Sequence, residues 1–283
     1  MLSNTNIKTI VKYYKKPESR WGYRHYLWGA KHFGFYPSKK ADISEREAQV
    51  ILQDMVAERL GLKKGQKVMD AGCGEGVVAV YLAKKYGVDV TGLTLVPFER
   101  TVAEKRAKDN LLTKETAFIV RDYTSTGFES NSFDAIYTTE SLSHIPEPAD
   151  ALKEFYRLLK PGGRLALFEY TIAADEQFSK FEMEMLDLVI KESGMFGLKT
   201  IRHNTLTNKM SAVGFKNVTQ QNVTDNIKPS FRRLFKSAQG PYRLVSRLGI
   251  RKTFINTTAS VEYYKMAQKD LIRYYIFSAA KPK

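Results

Sequence analysis

The chain has 283 residues, with 45 Lys and Arg against 30 Asp and Glu, one cysteine and 43% hydrophobic residues. This length allows one large domain or two modest ones, and the apolar fraction is that of a globular protein. The lone Cys73 excludes an intramolecular disulfide scaffold and fits a reducing compartment. The N-terminus lacks the apolar stretch of a signal peptide, and no apolar run is long enough to span a membrane. We therefore expect a cytoplasmic protein.

The positive charge is concentrated near the C-terminus. Residues 197–283 include 17 basic and 3 acidic side chains, whereas the rest of the chain is nearly balanced. Such asymmetry favours an anionic partner, either nucleic acid, a phosphate-bearing small molecule or an acidic membrane surface. A solvated face that only keeps the protein soluble is the alternative.

Residues 1–60 are predicted to form an N-terminal helical cap. Their first part is rich in aromatic side chains and interrupted by glycines, which is typical of a segment that covers another part of the molecule. Apolar residues then recur at helical spacing over residues 45–60. Ser44 is the predicted N-cap of that helix, with Glu47 three residues later.

Residues 61–170 alternate apolar strands with helical patterns. The predicted strands are 67–71, 88–95, 117–122, 133–139 and 162–170. The predicted helices are 77–86, 97–110 and 149–159. This alternation predicts βαβ units and a parallel sheet covered on both faces. In such sheets ligands bind at the carboxyl ends of the strands.

Residues 171–283 are predicted to complete the sheet with strands at 215–223 and 274–280. Between them we expect a basic insertion over about 227–265 and a helix over 259–271. A helical region after the fifth strand is a candidate substrate lid, and its apolar residues are Phe178, Phe181, Met183 and Met185.

A glycine-rich turn follows the first strand, with Gly72, Gly74 and Gly76 at alternate positions after Asp70. Glycines between a strand and a helix let backbone amides approach a ligand closely. The spacing differs from the dinucleotide fingerprint G-x-G-x-x-G, because the position that follows Gly76 is Val77. The Gly-Lys-Ser/Thr of a phosphate-binding loop is absent from this turn.

With this turn and the motifs that follow it, residues 60–170 resemble the class I S-adenosylmethionine-dependent methyltransferases. Within that family the chain resembles the group of sterol and tocopherol C-methyltransferases and cyclopropane and mycolic acid synthases. The resemblance implies a Rossmann-like, doubly wound, mostly parallel seven-stranded sheet with helices on both faces and helical insertions near the C-terminus. It implies S-adenosylmethionine as cofactor and S-adenosylhomocysteine as product. It also implies that the glycine turn contacts the methionine part of the cofactor and that Asp70 helps to orient the cofactor.

The second motif ends the second strand with Thr94-Leu95, where most class I methyltransferases place an acid for the ribose hydroxyls. The Thr-Leu pattern resembles cyclopropane synthases and tocopherol methyltransferases, in which a Gln five residues later shares the ribose contact. Glu99 occupies that position here, and a carboxylate also accepts from hydroxyls. Thr94, Leu95 and Glu99 are therefore predicted to bind the ribose. Alternatively, Glu99 is a surface residue in the first turn of a helix.

The third motif is Asp122-Tyr123, just past the third strand. The resemblance implies that Asp122 accepts from the adenine amino group and that Tyr123 lies beside the ring. Asp122 could instead cap a turn.

The fourth motif places Glu140 and His144 past the fourth strand as the candidate catalytic residues. In a helix, their spacing would put both on one face. A histidine can accept a proton, and a carboxylate can orient it or stabilise a cation. The pattern resembles sterol and tocopherol methyltransferases and sugar O-methyltransferases. The alternative is that His144 caps a helix and Glu140 is solvated.

Substrate contacts are predicted for Trp28 and His32 in the cap and for Tyr170 at the end of the fifth strand. Aromatic walls can stabilise a carbocation that forms when an alkene is methylated. In the basic insertion, cations interleave with apolar residues, which suits peripheral contact with an anionic membrane. The same residues could line a substrate pocket with their charges facing water.

The sequence therefore favours transfer of a methyl group to a carbon atom of a small lipophilic molecule. The favoured acceptor is a prenyl, sterol-like or quinone-like compound. O- or N-methylation of a small natural product or polar metabolite is the alternative, followed by RNA methylation. Cyclopropanation is disfavoured, because those enzymes hold bicarbonate with an N-terminal cysteine and the only cysteine here is in the glycine turn. No metal is expected, since the four histidines lack metal-ligand spacing.

Overall fold

A computed structural model describes residues 2–38 and 40–283, so that Met1 and Lys39 of the predicted cap lie outside the described residues. The described residues form seven strands, which are β1 (Lys67–Ala71), β2 (Asp89–Thr94), β3 (Thr116–Val120), β4 (Phe133–Thr139), β5 (Leu159–Ile172), β6 (Lys216–Asn222) and β7 (Ile272–Ala280). They also form ten α-helices, which are α1 (Asn4–Lys15), α2 (Pro17–Leu27), α3 (Glu45–Leu60), α4 (Val77–Tyr86), α5 (Pro97–Asp109), α6 (Pro148–Leu158), α7 (Lys180–Ser193), α8 (Leu206–Val213), α9 (Thr224–Arg247) and α10 (Ile255–Gln268).

The strands form one sheet in the order β3-β2-β1-β4-β5-β7-β6. The first five strands in this order are parallel, while β7 runs antiparallel to both β5 and β6. This confirms the predicted mostly parallel, seven-stranded, doubly wound sheet. The strand order reverses between β1 and β4, and a crevice forms outside the carboxyl ends of the strands at such a point.

Local sequence explains where the core helices begin and end. Helix α3 starts with a capping box, in which the Ser44 amide donates to Glu47 Oε2 at 2.8 Å and the Glu47 amide donates to Ser44 Oγ at 3.2 Å. It ends at Gly61, whose φ of 56° is left-handed and suits glycine. The helix predicted over residues 45–60 is therefore confirmed.

Helices from both ends of the chain cover the carboxyl edge of the sheet. Helix α1 packs against α7, α2 contacts α10, and α9 packs along α10. The Glu18 carboxylate on α2 accepts from the amides of Asn256 and Thr257 at 3.2 and 2.9 Å, and so joins the cap to the first turn of α10. No helix among the described residues combines the length and apolarity needed to cross a bilayer.

Candidate active site

Two hollows lie side by side at the carboxyl ends of the strands. The smaller one, the strand-end cleft, measures about 60 Å³ and is bounded by the glycine turn, the end of β2 and the start of the segment after β3. The larger one, the aromatic cavity, measures about 360 Å³ and lies between α1, α2, α7, α9 and α10. Both hollows share a wall, which is formed by Tyr14, Lys31, Glu140 and His144.

The glycine turn lines the cleft with two of its three glycines. Gly72 has a φ of 101°, and a Cβ there would lie 2.1 Å from Ser141 Oγ, so that only glycine fits. A Cβ added at Gly74 would have Lys31 Cδ as its nearest neighbour, at 3.3 Å. Gly76 faces the protein interior instead, where a Cβ would lie 2.7 Å from the Ala103 Cβ. Gly76 therefore packs α4 against α5 and does not line the cleft.

The end of β2 presents an acidic group to the cleft. Thr94 Oγ1 donates to Glu99 Oε2 at 2.7 Å, and it also accepts from the Val96 amide at 3.1 Å. Glu99 is buried, so the alternative that it is a surface residue is wrong. Its other oxygen accepts from the Lys31 ammonium, and Leu95 lines the cleft beside them.

Asp122 and Tyr123 line the other end of the cleft. Asp122 Oδ1 accepts from the Thr124 amide at 2.8 Å, and Oδ2 accepts from the Leu2 amide at 3.0 Å. Asp122 thus caps a turn and also presents an oxygen to the cleft. Burial raises the pKa of Tyr123, whose hydroxyl donates to the Ser141 carbonyl at 2.8 Å.

Asp70 is buried next to the cleft but is not among the residues that line it. Tyr137 Oη donates to Asp70 Oδ2 at 2.7 Å, whereas Oδ1 has no hydrogen-bond partner among the described residues. Burial raises the pKa of Asp70 to about 7. Asp70 is therefore placed to support the glycine turn, and its unpaired oxygen leaves one acceptor available.

These groups fit S-adenosylmethionine. Gly72 and Gly74 leave room for close approach to the backbone, Glu99 and Asp122 offer acceptors for hydroxyl and amino groups, and the carboxylates suit a ligand with a sulfonium charge. No cluster of three or more potential metal-ligating side chains occurs within residues 2–38 and 40–283.

The aromatic cavity is lined mainly by apolar side chains. Its aromatic lining residues are Tyr13, Tyr14, Trp21, Tyr23, Tyr26, Phe33, Tyr170, Phe231, Tyr263 and Tyr264. Ring planes of Tyr170 and Phe231 stack with centroids 6.3 Å apart, and Phe33 meets Phe231 edge-on at 4.7 Å. Such a cavity excludes water and suits an apolar or cationic guest.

Glu140 is the acid in the shared wall, and three donors fix it. Its carboxylate accepts from the Phe33 amide at 2.8 Å, from Tyr274 Oη at 3.1 Å and from Tyr170 Oη. Burial raises the pKa of Glu140 to about 8. Its φ of 53° is left-handed, a strained conformation for a non-glycine residue that is often found at functional sites. Glu140 is therefore not a solvated side chain.

His144 lies in the same wall with both ring nitrogens engaged. Nδ1 lies 2.9 Å from the Gly194 carbonyl and must donate to it, because a carbonyl oxygen only accepts. In the neutral ring Nε2 therefore accepts, and its partner at 2.9 Å is Tyr14 Oη. Burial lowers the pKa of His144, which favours the neutral ring with a basic Nε2.

Glu140 and His144 do not share a helix face. Only a short 3-10 turn, Leu142–His144, follows β4. The Ser143 amide in this turn donates to Glu169 Oε2 at 2.9 Å, so a second buried carboxylate holds the turn. The two residues meet at the wall because the chain bends at Glu140.

Two of the predicted substrate residues do not line the aromatic cavity. Trp28 is 44% exposed and packs near the Arg233 guanidinium rather than in the aromatic cavity. His32 is fully buried, lies 3.2 Å from Gln53 Nε2, and does not line the cavity; burial lowers its pKa to about 4. Tyr170 does line the cavity.

The predicted lid residues are also misplaced. None of Phe178, Phe181, Met183 and Met185 lines the aromatic cavity, and Phe181 packs near Arg251 on the outside. The later part of this region lines it instead, through Val189, Ser193 and Met195.

Lys31 and Tyr14 are the site residues that sequence analysis missed. Both lie in the cap, far in sequence from every motif. Tyr14 belongs to a pair of adjacent tyrosines on α1, a pattern that any buried helix face could show. Lys31 offers no signal except its position between Gly29 and Gly34.

Comparison with known proteins gives consistent results. A family model described as "Methyltransferase domain" matches residues 69–167. The chain is 30% identical over 281 residues to the S-adenosyl-L-methionine-dependent Diels-Alderase iccD of Talaromyces variabilis, covering 97% of this chain and 95% of that protein. It is 28% identical to the chloroplastic tocopherol O-methyltransferase of Arabidopsis thaliana, and the match covers 97% of this chain and 82% of that protein. The crystal structure of mycolic acid cyclopropane synthase CmaA1 complexed with SAH shares the fold, with a TM-score of 0.81, 17% identity and coverage of 97% and 98%.

Proposed function

The chain belongs to the class I S-adenosylmethionine-dependent methyltransferases, and we propose that it methylates a small lipophilic acceptor, at carbon. The observation that supports this proposal is the shared wall. A half-buried carboxylate and a neutral histidine, Glu140 and His144, stand between a polar cleft suited to the cofactor and an aromatic cavity suited to an apolar guest. We assign the cleft to the cofactor and the cavity to the acceptor.

The bound cofactor would supply an electrophilic methyl group on a sulfonium sulfur. The chain would contribute position and environment, since in-line placement is the main requirement of such a transfer. The stacked rings of Tyr170 and Phe231 would exclude water and stabilise positive charge on an alkene carbon as it is methylated.

Glu140 would act on that positive charge. In its ionised form the carboxylate would stabilise a carbocation and accept the proton that is lost when the alkene is restored. Donation from Phe33, Tyr170 and Tyr274 holds the carboxylate in place without neutralising it.

Methylation at oxygen or nitrogen is the alternative within the same site. The lone pair on His144 Nε2 accepts from Tyr14 Oη, and it can take a proton from an acceptor hydroxyl once Tyr14 turns away. The tocopherol relative is an O-methyltransferase, which favours this alternative for a phenolic acceptor.

A second candidate function is cyclisation of a polyene. A relative that matches 97% of the chain is named as a Diels-Alderase that depends on S-adenosyl-L-methionine. A cavity that folds a flexible apolar substrate can accelerate ring closure by holding its ends together, without consuming the methyl group.

Transfer of an isotope-labelled methyl group separates these candidates. The protein is incubated with labelled S-adenosylmethionine and a lipid extract of the source cells, with Glu140→Gln and the exposed-surface variant Glu104→Gln as controls. Methyl transfer to carbon predicts a labelled, solvent-extractable product that Glu140→Gln loses and Glu104→Gln retains. A label that is released by saponification of methyl esters or by hydriodic acid cleavage of methyl ethers favours oxygen, and an unlabelled product of unchanged mass favours cyclisation. Cofactor binding with no lipid product contradicts the proposal.

We also infer that α9 contacts an anionic membrane near the mouth of the cavity. Ser237 and Pro241 line the cavity and are exposed, and the same helix stripe continues through Leu244 and Leu248, each 60% exposed. An adjacent stripe is cationic and consists of Arg232, Lys236, Arg243 and Arg247. These four make no ion pair with any residue that the structure describes, and exposed leucines beside cations suit a bilayer surface.

Vesicle sedimentation tests this contact. Replacing the four cations with Gln should weaken binding to phosphatidylserine-containing vesicles by roughly several hundredfold, from about fivefold per charge. The control replaces four exposed lysines at the opposite edge of the sheet, Lys63, Lys64, Lys108 and Lys114, and should bind like wild type. Leu244→Ser with Leu248→Ser should also weaken binding. Equal sedimentation of all variants contradicts the membrane contact. If the protein binds a polynucleotide and the double leucine variant binds it as tightly as wild type, RNA is favoured as the partner instead.

A further inference from the structure

Lys31 is a mostly buried cation, and Glu99 is its one anionic partner among the described residues. Its side chain is 13% exposed and its ammonium pairs with Glu99, while the Tyr14 and Tyr23 rings lie 4.2 and 5.4 Å from the nitrogen. The backbone that presents it is strained, because Trp28 and Lys31 both have a left-handed φ of 51°. The cap therefore holds this lysine over the strand-end cleft at an energetic cost.

Lys31 also fills space that the cofactor needs. Its Cδ lies against Gly74, and its ammonium occupies the side of Glu99 that faces the cleft. This side chain lines the cleft together with Leu2, Ile10 and Tyr14, so four residues of the cap form one of its walls. A cofactor whose ribose binds Glu99 must displace the ammonium, and a displaced buried cation is costly unless it gains another anion.

The cofactor brings one anionic group, its α-carboxylate. Two lysine or arginine side chains line the cleft, Lys31 and Arg121, among the residues that the structure describes. Arg121 lies beside Asp122, at the end opposite the glycine turn, and donates to the Thr126 carbonyl at 2.6 Å. Lys31 lies at the glycine turn, the end that the proposed function assigns to the methionine part.

We propose that Lys31 exchanges partners when the cofactor binds, leaving Glu99 to the ribose hydroxyls and pairing with the α-carboxylate. The exchange keeps each buried charge compensated: the ammonium keeps an anion, and Glu99 gains hydroxyl donors near the sulfonium. Lys31 is thereby a cofactor-binding residue that selects for the carboxylate. This inference rests on the assignment of the strand-end cleft to the cofactor.

Titration calorimetry with two ligands tests the exchange. Wild-type protein and Lys31→Met are titrated with S-adenosylmethionine and with decarboxylated S-adenosylmethionine, which differs only by the missing carboxylate. Wild type should prefer the carboxylated ligand by about thirtyfold or more, as expected for a buried charge pair, and Lys31→Met should reduce that preference to about threefold or less. Lys31→Arg should retain part of the preference, and the exposed α1 variant Lys12→Met should retain all of it.

The outcomes separate this proposal from the cofactor assignment. If Lys31→Met weakens or strengthens both ligands by the same factor, Lys31 only neutralises Glu99 and the proposed exchange is wrong, while the cofactor assignment stands. If wild type binds neither ligand, the cofactor assignment itself is contradicted. If Lys31→Met does not fold, Lys31→Gln takes its place, because it removes the charge and keeps a polar side chain. A pairing role predicts that Lys31→Gln loses the preference, and a preference equal to that of wild type contradicts it.

Discussion

The strand-end cleft and the aromatic cavity are neighbours, yet they are built differently. Residues of the cleft come mostly from the ends of parallel strands between residues 70 and 145, and they act through fixed hydrogen bonds such as Thr94 to Glu99. The cavity is assembled from five helices at both ends of the chain, and it acts through apolar surface. The two meet at four residues, Tyr14, Lys31, Glu140 and His144.

This difference separates recognition of the cofactor from the choice of acceptor. A cleft on strand ends is positioned by the sheet, so one small ligand can be recognised through few residues. A cavity between helices changes shape when any of its helices shifts. Substitutions in the cleft should therefore act on cofactor affinity, those in the cavity on acceptor use, and those in the wall on turnover.

Gly74→Asp should show the largest effect on the cleft. A side chain there fills the space beside the backbone, and aspartate tolerates the left-handed φ of 50°. S-adenosylmethionine binding should fall at least about a hundredfold, by on the order of 3 kcal/mol, while the melting temperature stays close to that of wild type. Gly76→Ala is the contrasting variant, because its Cβ meets Ala103 and should lower the melting temperature instead. Unchanged affinity in Gly74→Asp would contradict the cofactor assignment.

Glu140→Gln should show the largest effect on the wall. Turnover should fall by about 10²- to 10³-fold, the usual contribution of a positioned acid or base. Cofactor affinity, measured by calorimetry, should change by less than about threefold, since the amide oxygen can still accept from Phe33 and Tyr274 while Tyr170 Oη turns to accept from the amide nitrogen. An equal loss of both quantities would mean that Glu140 only supports the fold.

The pH profile sharpens the role of Glu140. Because burial raises its pKa to about 8, the side chain is mainly protonated at neutral pH in the free protein. If the ionised form is the active one, kcat/KM should rise up to about tenfold per pH unit until about pH 8 and then level off. A profile that is flat from pH 6 to 9 in wild type would contradict this role.

Tyr14→Phe should have a smaller effect, because it removes one hydrogen bond to His144 and leaves the ring. An acceptor hydroxyl can then reach Nε2 freely, so an O-methylating enzyme should keep most of its activity and lose it in His144→Ala. A C-methylating enzyme should tolerate both substitutions within about tenfold. Steady-state rates of the two variants on one acceptor therefore separate the two chemistries.

Asp70→Asn should have the smallest effect on turnover, and it should act mainly on how stability depends on pH. The raised pKa means that native Asp70 holds its proton between its usual value of 3.8 and about 7, whereas the unfolded chain releases it. The free energy of unfolding contributed by this group is present below pH 3.8 and is lost as the pH rises to about 7, by up to about 1.4 kcal/mol per unit. Denaturant unfolding of Asp70→Asn should show a shallower decline over this range. An identical decline would mean that Asp70 is ionised in the native state.

The cleft was largely predictable from the sequence, and the cavity was not. Gly72, Thr94, Glu99 and Asp122 follow strands whose apolar runs predict both their bounds and the edge at which they meet. The seven-stranded topology followed from the family resemblance that these motifs support.

Tertiary packing decided what the sequence could not. Trp28 and His32 are aromatic like their neighbours, and only the path of the cap turns Trp28 outward and buries His32 against Gln53. The strained bend at Glu140 replaces the helix that the spacing of Glu140 and His144 suggested. The role of Lys31 depends on a contact across 68 residues of chain, which no local pattern predicts.

A crystal structure of the protein with bound S-adenosylhomocysteine tests the central claim most directly, because it locates the sulfur relative to the shared wall. We predict that the adenosine lies in the strand-end cleft, with its ribose on Glu99 and the sulfur facing the aromatic cavity beside Glu140 and His144. A ligand bound elsewhere, or a sulfur that faces away from the cavity, would contradict the account.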